Sequence, residues 1–103
     1  MKYSLIKYQR KNGSEAEWHR SIAQFISALD RDPGLKGKIS YRCMKRRGGA
    51  DYFHLAAVAD DEAVKALQSR DFFARYTEQT KLAAGGDVEV LPLEIVAETG
   101  QRS

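Results

Sequence analysis

The sequence predicts an α+β fold with the order β-α-β-β-α-β. This is the ferredoxin-like arrangement, in which one antiparallel four-stranded sheet carries two helices on one face. Three observations predict it. Short runs of β-branched, aromatic and other apolar residues lie at 3–10, 39–44, 52–58 and 88–97. Stretches with helical spacing separate the first run from the second and the third from the fourth. Clusters of glycine, proline and asparagine mark the changes of pattern. No repeat or low-complexity tract disturbs the order, and 103 residues suit one domain, 1–103.

The first strand, YSLIKYQR, is apolar on both parities and is broken by Asn12-Gly13. Ser14 followed by Glu17 has the spacing of a capping box, in which the serine oxygen takes a backbone N–H and the glutamate reaches back. Trp18, Ile22, Phe25, Ile26 and Leu29 then form one apolar stripe of helical period. Asp32-Pro33-Gly34 ends that helix, since proline lacks the donor and glycine permits the turn.

Ile39, Tyr41 and Cys43 alternate with Ser40, Arg42 and Met44 as a second strand. A basic hairpin loop, Lys45 to Ala50, leads into a third strand, Tyr52 to Val58, paired antiparallel with the second. Asp60 and Asp61 suit a helix N-cap, and Glu62 suits the first turn. Ala63, Val64 and Leu67 open the second helix. Ser69-Arg70-Asp71 is placed to interrupt it, because serine and aspartate compete for backbone bonds, before Phe73, Tyr76 and Thr80 resume helical spacing. Gly85-Gly86 stops the helix, and the last strand runs from Val88 to Ala97, with Pro92 forcing an edge, a bulge or a crossing point.

Two helices cover one face of such a sheet, yet strands one, three and four are apolar on both. Leu5 opposes Ile6, Phe53 and Leu55 oppose Tyr52 and Val58, and Leu93 and Ile95 oppose Val96, so a bare second face of four strands would exceed the apolar patch that monomers normally expose. A two-fold homodimer packed sheet on sheet is therefore expected, at roughly 25 cal/mol per Å² of apolar area removed from water.

The composition, 43% hydrophobic and 30% charged, is that of an ordinary globular protein. Met1 to Lys7 lacks the apolar run of a signal peptide, and no segment approaches the ~20 apolar residues of a membrane span. The lone Cys43 forms no internal disulfide, and two histidines without metal-ligand spacing predict no metal site. A reducing, cytoplasmic location is the expectation. The net charge of +3 is modest, but Lys36, Lys38, Arg42, Lys45, Arg46 and Arg47 concentrate positive charge in one region. Neither phosphate-binding glycine loops nor the hydrolase nucleophile elbow occurs.

From residue 69 onward, SRDFFARYTEQTKL, then GG and VEVLPLEIVAE, resembles the C-terminal half of the antibiotic-biosynthesis-monooxygenase-like family. There a short helix with an aromatic-x-x-Tyr step precedes the last strand, and here the step is Phe73-Ala74-Arg75-Tyr76. The resemblance implies a dimeric α+β barrel that oxidises a small aromatic or quinol-type molecule with oxygen, in a cavity between sheet and helices, with no cofactor. It also carries two departures. Phe72 stands where many quinol-oxidising relatives have a histidine, and no histidine follows residue 55 to serve as the axial ligand of haem-degrading relatives.

Within that expectation His54, an imidazole with pKa near ~6.5, is a candidate base for a phenol or hydroquinone, with Tyr76 as the second catalytic candidate. Trp18 and Tyr76 could stack on a ring, Phe72 joins Tyr76 in the pocket wall while Phe73 is core, and Tyr41, Tyr52 and Tyr8 are candidate donors to a substrate oxygen. Arg42 could hold an anion. Each has an ordinary alternative: a satisfied strand histidine, core aromatics, a solvated arginine. His19, the Asp60-Asp61-Glu62 cluster and Cys43 read as half-exposed, capping and structural residues respectively. Two other functions compete. One is a non-catalytic ligand-binding or structural dimer. The other is an RNA-recognition module, which Tyr8 with Tyr52 or Phe53 beside the KRRGG loop imitates. RRGGADYFHLAAV lacks that module's spaced aromatics, so nucleic acid is not the expected partner.

Overall fold

In the computed structural model, which describes residues 1–100, the elements run β1 (Lys2–Gln9), α1 (Glu15–Arg31), β2 (Ile39–Lys45), β3 (Asp51–Val58), α2 (Asp61–Gln68), α3 (Asp71–Ala84) and β4 (Glu89–Leu93). The sheet order is β2-β3-β1-β4, with every neighbouring pair antiparallel. This is the α+β ferredoxin-like fold, with its second helix split in two. Ser69 causes the split: its hydroxyl donates to the Ala66 carbonyl at 2.6 Å, and the chain restarts as a helix only at Asp71.

The caps follow the sequence with one change. Ser14 Oγ accepts the Glu17 N–H at 3.2 Å, but the glutamate carboxylate takes the serine hydroxyl instead of reaching back to the backbone. Asp60 Oδ1 accepts the Ala63 N–H at 2.8 Å, and Gly85, at φ 69°, closes α3 in the left-handed conformation that suits glycine.

The last strand is shorter than expected. It ends at Leu93, and Ile95 and Val96 are 48% and 93% exposed beyond it. β4 is an edge strand, where Pro92, opposite Ser4, can lack its donor. The β1–β4 ladder runs from Lys7 opposite Glu89 to Tyr3 opposite Leu93.

A bidentate ion pair ties the helical layer together. Arg70, in the break between α2 and α3, reaches Asp32 at the end of α1 with 2.7 and 3.2 Å bonds. The Arg70 guanidinium holds the Asp32 carboxyl below the usual carboxylate range. Gly34 makes room for this pair, since a β-carbon there would lie 2.7 Å from Arg70 Nη2.

Strand alternation sorts the sheet residues. Ile6, Tyr8, Tyr41, Tyr52 and His54 lie under the helices, in and against the core built on Trp18, Ile22, Phe25 and Leu29. The other face carries Tyr3, Leu5, Phe53, Leu55, Leu91 and Leu93, with Leu5 paired between Leu55 and Leu91. No helix of the described residues lies over that second face. Nor is any helix long and apolar enough to cross a membrane.

Candidate functional site

The restart of α3 at Asp71 sets its phase. Phe73, Tyr76, Thr77 and Thr80 then share the face turned to the sheet, and with Ile6, Phe25, Leu29, Tyr41, Ala56 and Val58 they enclose a cavity of about 550 Å³. The hydroxyls of Thr77 and Thr80 bond back to the carbonyls of Phe73 and Tyr76 at 2.9 and 2.8 Å. Most of the wall is therefore apolar, and Lys2, Gln68 and Lys81 add polar groups to it. Such a space matches the volume and lining of small-molecule sites.

Two polar groups converge on the inner wall. The Tyr41 and Tyr76 hydroxyls are 3.0 Å apart, and they approach His54 Nδ1 at 2.6 and 3.2 Å. On the far side of the ring, His54 Nε2 meets the Tyr8 hydroxyl at 2.8 Å, and Trp18 Nε1 donates to Tyr8 at 2.7 Å. The register explains this convergence. His54 sits on the inner strand β3 opposite Ile6 and Cys43, so Tyr8 on β1 and Tyr41 on β2 reach it diagonally. Tyr76 arrives from α3 with its ring stacked on Phe25 at 3.8 Å and on Trp18 at 5.8 Å.

Burial controls the electrostatics. His54 has no exposed surface, and desolvation lowers its pKa to about 4, so the ring is neutral at pH 7. Desolvation likewise pushes the Tyr8, Tyr41 and Tyr76 phenols well above their ordinary range and the Cys43 thiol up to about 11. Every group of the network is thus an uncharged donor or acceptor.

The structure gathers some of the residues singled out from sequence and separates others. His54, Tyr76, Tyr41 and Trp18 form one cluster, but only Tyr41 and Tyr76 reach the cavity; Trp18 is 5% exposed and stands behind Tyr76. Phe72 and Phe73 exchange the places expected of them: Phe73 lines the cavity, whereas Phe72 packs against Phe25 at 5.9 Å. Phe73 lies three residues before Tyr76 and so shares its face of α3. Tyr52 turns its hydroxyl to His19, 2.8 Å away, and lines a separate shallow groove of about 300 Å³ beside β2. Arg42 lies on the opposite sheet face, exposed and paired with Leu55.

Sequence reasoning missed Tyr8 and Trp18 as a connected pair. Their spacing carries no motif, and only the β1–β3 register brings Tyr8 to His54. The RNA-binding platform does not form, because Tyr8 and Tyr52 are 6% and 2% exposed and stack on each other 5.2 Å apart under α1. Among the described residues no cluster of three or more His, Cys, Asp or Glu side chains is placed to hold a metal ion.

No protein-family model matches the chain, and no curated protein resembles it significantly in sequence. Solved structures do share its fold. SnoaB, a cofactor-independent oxygenase from Streptomyces nogalater, superposes with a TM-score of 0.74 over 97% of this chain and 98% of its own, at 14% identity. A protein described as an antibiotic biosynthesis monooxygenase gives 0.75 over 94% and 100%, at 11% identity. Rv0793 from Mycobacterium tuberculosis gives 0.74 over 96% and 98%, also at 11%. The fold expected from the resemblance at residues 69 onward is therefore present, across the whole described chain.

Proposed function

We propose that this protein is a homodimeric, cofactor-independent oxygenase that oxidises a small phenolic or hydroquinone-type aromatic with molecular oxygen in the cavity beneath its helices. One observation carries the reading: the Tyr41 and Tyr76 hydroxyls pair with each other, their residues line a largely apolar cavity, and a fully buried histidine backs them. The oxygenase named among the fold's relatives supports it.

The chemistry needs no external reductant. A phenol with an unsubstituted para position reacts with one O2 to give a quinone and one water, the substrate supplying all four electrons. Loss of the phenolic proton makes the ring electron-rich enough to pass one electron to O2. The resulting radicals join at a ring carbon, and the hydroperoxide so formed expels water to leave the second carbonyl. In this scheme the apolar walls, Phe73 among them, hold the ring, and the Tyr41 and Tyr76 hydroxyls bind the substrate oxygen as its charge develops.

His54 takes a different part from the base expected at pKa ~6.5. A phenol of pKa ~10 giving its proton to a ring at about 4 would climb ~8 kcal/mol, so His54 orients the tyrosine pair and the proton leaves to solvent. Substrates that ionise readily are favoured accordingly.

The test is oxygen consumption with a panel of polyphenols and hydroquinones. Wild type consumes one O2 per quinone formed, and Tyr76→Phe and Tyr41→Phe each lower kcat on the order of 100-fold. The weak basicity of His54, with both nitrogens already occupied, also favours a second reading, a binding dimer without catalysis. Tight binding with no oxygen uptake across the panel would establish it.

A further inference from the structure

The network around His54 has a direction. Trp18 Nε1 is a donor only, so the Tyr8 oxygen accepts from it at 2.7 Å. Tyr8 then has one proton to place. Its hydrogen-bonding neighbours are Trp18, which cannot accept, and His54 Nε2 at 2.8 Å. In this buried setting the Tyr8 O–H finds an acceptor only if Nε2 is bare. A neutral imidazole with Nε2 bare carries its proton on Nδ1 and donates it to Tyr41, the nearer hydroxyl at 2.6 Å. Each neutral tautomer leaves one hydroxyl proton without a protein acceptor. Nε2–H strands that of Tyr8, walled in by Trp18 and His54. Nδ1–H leaves one on the Tyr41–Tyr76 pair, whose residues line the cavity where water or a ligand can accept it, and this favours the Nδ1–H form.

The consequence appears at the cavity wall. With Nδ1–H pointing at the tyrosine pair, neither hydroxyl can donate to the histidine. One hydroxyl donates to the other across 3.0 Å, and one O–H proton remains for an acceptor in the cavity. In the reverse tautomer Nδ1 would absorb a hydroxyl proton, and the pair would face the cavity as an acceptor.

We propose that Tyr8, held by Trp18, is a positioning residue that keeps the His54 proton on Nδ1, and that the Tyr41–Tyr76 pair therefore offers its ligand a hydroxyl donor. The cavity selects aromatic molecules bearing a hydrogen-bond-accepting oxygen, a phenolate or an aromatic ketone, over those that can only donate or do neither. The ligand preference rests on the reading that this cavity is the binding site, whereas the tautomer does not.

Two measurements test it. Long-range proton–nitrogen NMR correlations of the His54 ring at pH 7 show a bare Nε2 and a protonated Nδ1 in the ligand-free protein. In Tyr8→Phe, where two tyrosine hydroxyls face Nδ1 and nothing donates to Nε2, the ring shifts toward the Nε2–H form. A protonated Nε2 in wild type, or a tautomer unmoved in folded Tyr8→Phe, overturns the assignment of Tyr8; if that variant does not fold, the wild-type spectrum decides. For the ligand, 9-fluorenone and fluorene share a shape and differ by one carbonyl. Wild type binds fluorenone about tenfold more tightly, and Tyr8→Phe loses most of that preference. Equal affinity of wild type for the two overturns the donor site. Because neither molecule turns over, a failure here is distinct from a failure to consume oxygen.

Discussion

At the scale of single residues, His54 shows how burial sets chemistry. With no accessible surface it is neutral in the fold at pH 7, whereas in the unfolded chain it takes a proton near 6.5. Between pH 6.5 and about 4 the unfolded state therefore binds more protons, and stability falls as pH is lowered through that window. The gap corresponds to about 3 kcal/mol lost by pH 4. Urea unfolding of wild type against His54→Gln, pH by pH, should show a steeper fall for wild type across that window; parallel curves would mean that His54 titrates normally in the fold. The residue was legible as a candidate in the sequence, but its basicity was not. Nothing in DYFHLAAV announces that Tyr8, Tyr41 and Tyr76, each far away in the chain, close over the ring.

At the scale of elements, local rules read from the sequence held where the interaction was local. Ser14 and Asp60 cap their helices, and Ser69 breaks the second one, because each acts on backbone within four residues of itself. Two features depended on distant partners and were not legible. The places of Phe72 and Phe73 depend on the exact residue at which α3 restarts, and the length of β4 on its pairing with the distant β1. The Asp32–Arg70 pair, 38 residues apart, belongs to the same class. It fastens the end of α1 to the break that sets the phase of α3, so it also positions Tyr76. Asp32→Asn should lower the urea midpoint at pH 7, and the difference from wild type should shrink below pH ~4, since a carboxyl with a depressed pKa loses its contribution as it protonates. Gly34→Ala should destabilise as well, because its methyl would meet Arg70. An unchanged midpoint in both variants would show that the pair is a surface ornament rather than a fastening.

At the scale of the whole molecule, the fold class was the most legible property, since it rests on the order of patterns rather than on any one contact. The two-sided apolar character of strands β1, β3 and β4 was equally visible, and the structure assigns each side. One faces the helices and the cavity. The other presents Leu5, Phe53, Leu55 and Leu91 in adjoining register positions. The proposed homodimer would pack a second copy on this face, burying on the order of 800 Å² per partner. Sedimentation should find wild type as a dimer at micromolar concentration and Leu55→Glu as a monomer or a markedly weaker dimer, through the burial of an unpaired charge. A wild-type monomer under those conditions would refute the assembly.

The cavity is the centre of the functional account, and its occupant can be located directly. Heteronuclear NMR titration with 1-naphthol, under nitrogen to prevent turnover, should perturb Ala56, Val64, Phe73 and Thr80 together with the Tyr41 and Tyr76 rings, and should leave Phe53 and Leu91 on the opposite face unmoved. Perturbations confined to that opposite face, or to the groove at His19 and Tyr52, would contradict the placement of the ligand site beneath the helices.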